Sequence, residues 1–75
     1  MIPENKYFET VEEIVKDNLD TDEKKFFDKH SERYVGLMGK ATQYGIAGSE
    51  LLAKKAISRV IGSVKNDYKK EHAQG

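Results

Sequence analysis

Two histidines, thirteen carboxylates and no cysteine are the groups from which this 75-residue chain would have to build any reactive site. Without a thiol, a nucleophile would have to be a Ser, Thr or Tyr hydroxyl, a Lys amine or a carboxylate. Each of those needs a neighbouring base or charge to activate it. No G-x-S-x-G, phosphate-loop, H-E-x-x-H or glycine-rich dinucleotide pattern occurs. "GIAGSE", residues 45–50, places glycines before a helix start, as anion-binding loops do. It lacks a preceding strand and a suitably spaced lysine, so it reads as a turn. His30 offers a pH-sensitive or metal-binding group. Its sequence neighbours Phe27, Tyr34 and Leu37 make it instead a core residue with one hydrogen bond, and His72 lies far off in the chain. Glu9, Glu12, Glu13 and Asp17 lack the loop spacing a calcium site requires and read as a solvated helix face. The expectation is a non-enzyme with no metal and no cofactor.

The elements that carry these groups are helical. Apolar residues recur at three- and four-residue spacing, without sustained alternation. In the first segment Phe8, Val11, Ile14, Val15 and Leu19 share a face. Pro3 suits a first helical turn, and Thr10 with Glu13 offers a second possible start as a capping box. Asn18 falls on the apolar side, either capping the helix end or meeting a partner. At "NLDTDE", Asp20 with Glu23 forms the best-marked capping box in the chain. From there Phe26, Phe27, His30, Tyr34, Leu37, Met38, Ala41 and Tyr44 make one stripe, which predicts an unbroken helix through Gly36 and Gly39. Gly45 and Gly48 mark the next break, with Ser49 as N-cap. A third helix over about 50–70 buries Ala53, Ala56, Ile57, Val60, Ile61, Val64 and Tyr68. The expected architecture is all-α: a small three-helix bundle over residues 1–70, with 71–75 as a flexible tail. The alternatives are a helical hairpin completed by dimerisation, and a rod fusing the second and third helices.

Charge is segregated along the chain. Residues 1–35 hold 10 acids and 6 bases, whereas residues 36–75 hold 3 acids and 7 bases. Either the halves neutralise each other across the fold, or the basic half meets an anionic partner. Lys54, Lys55, Arg59, Lys65, Lys69 and Lys70 line one broad side of the third helix, with Gly62 among them. This basic face predicts docking of an acidic protein first and nucleic acid second. A membrane surface ranks third, because the apolar side is Ala, Ile and Val rather than bulky Trp, Phe or Leu. Val35, Gly36 and Gly39 lie opposite the aromatic stripe and form a candidate self-association face.

The stretch "NLDTDEKKFF", through Leu19, Glu23 and Phe27, resembles the corresponding part of the haemolysin-expression-modulating family of small enterobacterial nucleoid proteins. The resemblance covers about ten residues and does not extend to the long basic third helix. It implies a nucleoid-associated role as the second reading.

No apolar run approaches the roughly 20 residues that span a bilayer, and "MIPENKYFET" carries no signal-peptide pattern. The expectation is a cytoplasmic interaction protein, a regulator or inhibitor in the style of bacterial or phage accessory proteins. A short chain without staples gains stability by self-association, so a homodimer is also expected.

Overall fold

The computed structural model describes residues 4–73. It is all-α, with no strand among the described residues: α1 (Glu4–Asp17), α2 (Thr21–Lys29), a 3-10 turn (Ser31–Arg33), α3 (Val35–Ile46) and α4 (Glu50–His72). The molecule is elongated, 46 × 19 × 18 Å, because α4 runs along most of its length. α3 packs antiparallel to α4: Tyr34 at the start of α3 meets Asp67, while Tyr44 near its end lines a groove with Leu52. α1 lies against both and runs in the same direction as α4, and α2 packs on the C-terminal half of α4.

The Asp20–Glu23 capping box is present in both directions. The Glu23 amide donates to Asp20 Oδ1 at 2.8 Å, and the Asp20 amide donates to Glu23 Oε1 at 2.9 Å. At the other predicted start, Thr10 instead sits inside α1 and donates its hydroxyl to the Lys6 carbonyl. Pro3 lies outside the described residues. Asn18 follows α1 and closes it, its side-chain amide donating to the Ile14 carbonyl at 2.8 Å.

The predicted helix over 21–44 is divided. The chain leaves helical geometry at His30 (φ −117°, ψ 28°), passes through the 3-10 turn and restarts at Val35. Neither glycine nor proline marks the break, and the two glycines beyond it, Gly36 and Gly39, are helical. The cause is tertiary. The break lets Phe27 and Tyr34 stack at 5.7 Å within one core, while α2 and α3 lie against different stretches of α4. It also rotates α3 relative to the predicted stripe. Thr42 becomes buried, its hydroxyl donating to the Met38 carbonyl at 2.8 Å, and Tyr44 is left 37 % exposed.

The core is Val11, Val15 and Leu19 from α1 and its exit, Phe26 and Phe27 from α2, Tyr34, Met38 and Ala41, and Val60 and Val64 from α4. Ile14, expected on the buried face, is 40 % exposed. The rod alternative does not occur. Gly48 adopts φ +84°, a conformation costly to any side chain, and reverses the chain between α3 and α4. Ser49 is the N-cap of α4 by position but makes no side-chain capping bond. At the C-terminus, residues 70–72 continue α4 where the sequence placed its end and a tail. Residues 74 and 75 lie outside the described residues.

Gly45 has a different role from the outward glycines. A Cβ there would collide with the ring of Tyr7, so its absence lets α1 approach α3 closely. At Gly36, Gly39 and Gly62 a Cβ would meet nothing within 4 Å. Alanine is better than glycine by about 1 kcal/mol in a helix interior. Gly36→Ala, Gly39→Ala and Gly62→Ala are therefore each expected to raise stability by roughly 0.5–1 kcal/mol in urea denaturation. Gly45→Ala should lower it, as the Tyr7 ring is pushed off α3.

Candidate docking surface

The outer side of α4 carries the six bases singled out from the sequence, and all six are exposed. The fold does not keep them as one surface. Lys65 Nζ lies 3.0 Å from Glu23 Oε1, the same oxygen that accepts the Asp20 amide. Lys65 thereby ties α4 to the start of α2 and is a structural contact. Lys69 and Lys70 sit near the C-terminal end of α4. Lys54, Lys55 and Arg59 form a separate group toward its N-terminal end and make no ion pair among the described residues.

Lys40 of α3 joins this second group. Antiparallel packing places it beside Lys55 and Arg59 on the rim of a groove of about 240 Å³, floored by Leu37, Tyr44, Leu52 and Ala56. No acidic residue lines this groove. Lys40 escaped the sequence reading because it is a single base on a weakly charged helix. Only the pairing of α3 with α4 gives it cationic neighbours. Nearby, Ile46 is 49 %, Leu51 68 % and Leu52 45 % exposed. With Ile14 and Tyr44, these make five of the six large exposed apolar residues, all away from the α2 end. Clustered apolar exposure of this kind marks contact surfaces better than scattered residues do.

The described ion pairs show how little the two charged halves neutralise each other. Lys16–Asp28 lies within the acidic half, and its hydrogen bond holds the Lys16 pKa above the ordinary lysine value. Arg33–Glu71, at 3.0 Å, joins the halves in the opposite sense to their net charges, raising the Arg33 pKa through the Glu71 hydrogen bond. Only Glu23–Lys65 pairs an acid of the first half with a base of the second.

At the far end, a cleft of about 630 Å³ brings together the two histidines that the sequence separates. His30 is half-buried and packs its ring on Phe26 at 4.6 Å, rather than sitting in the core with a hydrogen bond. His72 stacks on Tyr68 at 4.0 Å, and its Nδ1 lies 3.0 Å from the Tyr68 carbonyl. Burial, then the charges of Asp22, Asp20 and Glu23, raises the Tyr68 pKa. No cluster of three or more metal-ligating groups occurs among the described residues.

Val35 is half-exposed, Gly36 is exposed and Gly39 is half-buried. Ile46, seven residues after Gly39, continues the same side of α3. Among the described residues, no helix is long and apolar enough to cross a membrane. Comparison of the chain with known protein families, with curated proteins and with solved structures gives no match.

Proposed function

We propose that this is a non-enzymatic interaction protein that binds and regulates a larger protein through the α3–α4 face. Its framework is a three-helix bundle of α1, α3 and α4, braced by α2 at the far end of α4. The observation that supports this reading is the groove in which Lys40, Lys55 and Arg59 surround Leu37, Tyr44 and Leu52 without a lining carboxylate. Such a surface favours a partner that presents carboxylates around an apolar centre. The apolar contacts supply affinity, and the charges supply steering and orientation. Regulation or inhibition follows from mass. A chain of 8.5 kDa with no motif for chemistry acts by occupying a surface of something larger.

The test compares the wild-type chain with Lys40→Glu/Arg59→Glu as bait in nuclease-treated extract of the source cell, over a salt series. All three target groups are solvent-facing, so circular dichroism should show unchanged folding. The double reversal is expected to weaken capture of an acidic protein about tenfold or more. Lys69→Glu/Lys70→Glu should retain it. Equal capture by both variants rejects the α3–α4 face. A partner that disappears on nuclease treatment, with a steep salt dependence, supports the nucleic-acid reading instead.

A further inference from the structure

We infer that the flank formed by α1 and α4 is a self-complementary interface, on which a second copy of the chain docks about a two-fold axis parallel to the helices. This flank is distinct from the α3–α4 groove. Its centre is a shallow apolar groove of about 160 Å³ between α1 and α4, where Tyr7, Val11, Ile14, Ala53 and Ile57 meet. Ile14 is the residue that the sequence assigned to the core and that the fold leaves 40 % exposed.

Charge frames this apolar seam with opposite signs on its two sides. On the α1 side, Glu9, Glu13 and Asp17 are exposed and make no ion pair among the described residues. On the α4 side, Lys54 lines the groove, with Lys55 beyond it, and both are exposed and unpaired among the described residues. The two helices run in the same direction, so the levels along them correspond. The single acid on the α4 side, Glu50, lies at the Tyr7 end, where α1 carries its base, Lys6.

A seam with acids on one side and bases on the other can meet its own copy in two ways. A two-fold axis across the helices would set acid upon acid, and base upon base. A two-fold axis along the helices exchanges the sides and keeps the levels. It sets Lys54 and Lys55 of one copy toward Glu9 and Glu13 of the other, twice, and closes Ile14 and Ile57 against their counterparts. Glu50 then faces the Lys6 end, so no like-charged contact arises there. Closed isologous pairing of this kind is the commonest solution for homo-oligomers. The flank is only about 20 Å along α1 and about two helix diameters wide, which is at the low end of specific interfaces. The dimer should therefore be weak, forming at high-micromolar concentration.

A charge swap tests both the occupant and the orientation. Glu13→Lys makes both sides of the seam basic, and Lys54→Glu makes both sides acidic. Each variant alone is expected to dissociate about tenfold more readily than wild type in sedimentation equilibrium, because two symmetric contacts become repulsive. Mixed in equal amounts, they should recover dimer as a one-to-one heterodimer, identified by native mass spectrometry, since every contact again pairs opposite charges. Circular dichroism checks that each exposed substitution leaves the fold intact. A wild-type chain that stays monomeric at high-micromolar concentration overturns the inference. So does a dimer indifferent to both charges, which would place the interface elsewhere, for example on Val35, Gly36 and Gly39. A mixture that does not recover heterodimer overturns the two-fold arrangement. None of these outcomes bears on the α3–α4 groove, which the substitutions leave untouched.

Discussion

Phe27→Ala is expected to leave most of the chain unfolded or close to unfolding at room temperature. Phe27 is fully buried and stacks on Tyr34 at 5.7 Å, joining α2 to the start of α3 across the 3-10 turn. Truncating a buried phenylalanine to alanine costs about 3–5 kcal/mol, combining lost transfer energy with the cavity left behind. A domain of this size has roughly 4–11 kcal/mol of total stability. No disulfide supports the chain. A shift of about 4–8 °C per kcal/mol puts the loss in melting temperature above about 12 °C. The contrast is Ile14→Ala, which removes a side chain already 40 % exposed and should cost no more than about 1 kcal/mol in the monomer. Thermal melts followed at the helical circular dichroism band, at low protein concentration, check both values. Near-equal losses would mean that Ile14 is as much a part of the core as the sequence alone suggests.

Alkaline pH should destabilise the wild-type fold more steeply than it does Tyr34→Phe. Tyr34 is 2 % exposed, and its hydroxyl donates to Asp67 Oδ2 at 2.8 Å. Burial first, then the Asp67 hydrogen bond and charge, pushes its pKa up to about 12 from the ordinary 10.0. The fold therefore favours the neutral phenol, whereas the unfolded chain ionises near the ordinary value. The contribution is complete below the unfolded pKa and is lost as pH rises from about 10 toward 12. With 1.36 kcal/mol for each unit of difference, the loss across that window is on the order of 2 kcal/mol. Tyr34→Phe should start about 1 kcal/mol less stable at neutral pH, because Asp67 loses its donor. The variant lacks this one titration, so its disadvantage should vanish as pH approaches the folded value. Lysine deprotonation and the ionisation of Tyr68 affect both proteins and cancel in the comparison. Urea midpoints measured at neutral pH and at both ends of the window give the result. Parallel pH profiles would show that Tyr34 ionises without opposition from the fold.

The six charged positions proposed as one basic face show where local reasoning stopped. Helical periodicity correctly put Lys54, Lys55, Arg59, Lys65, Lys69 and Lys70 outward, because burying a lysine or arginine without a partner is too costly. It could not show that Lys65 finds Glu23, 42 positions earlier in the chain. Nor could it show that Lys40 joins Lys55 and Arg59 across a helix pair. Ion pairing and groove formation depend on which helix faces which, and spacing within one helix carries no such information.

By itself the sequence determined the helical class, the Asp20–Glu23 cap, the turn around Gly48 and most of the buried positions on α1 and α4. Each of these rests on residues three or four apart, or on one backbone angle, so the chain needs no tertiary contact to express it. Tertiary structure alone decided the break at His30–Tyr34, where neither glycine nor proline gives a local signal. It also decided the exposure of Ile14 and the close approach of Tyr7 to Gly45. The physical reason is the same in all three. Each is fixed by where neighbouring helices come to rest, and the best packing of Phe27, Tyr34 and Met38 against α4 overrides the stripe that a single straight helix would present.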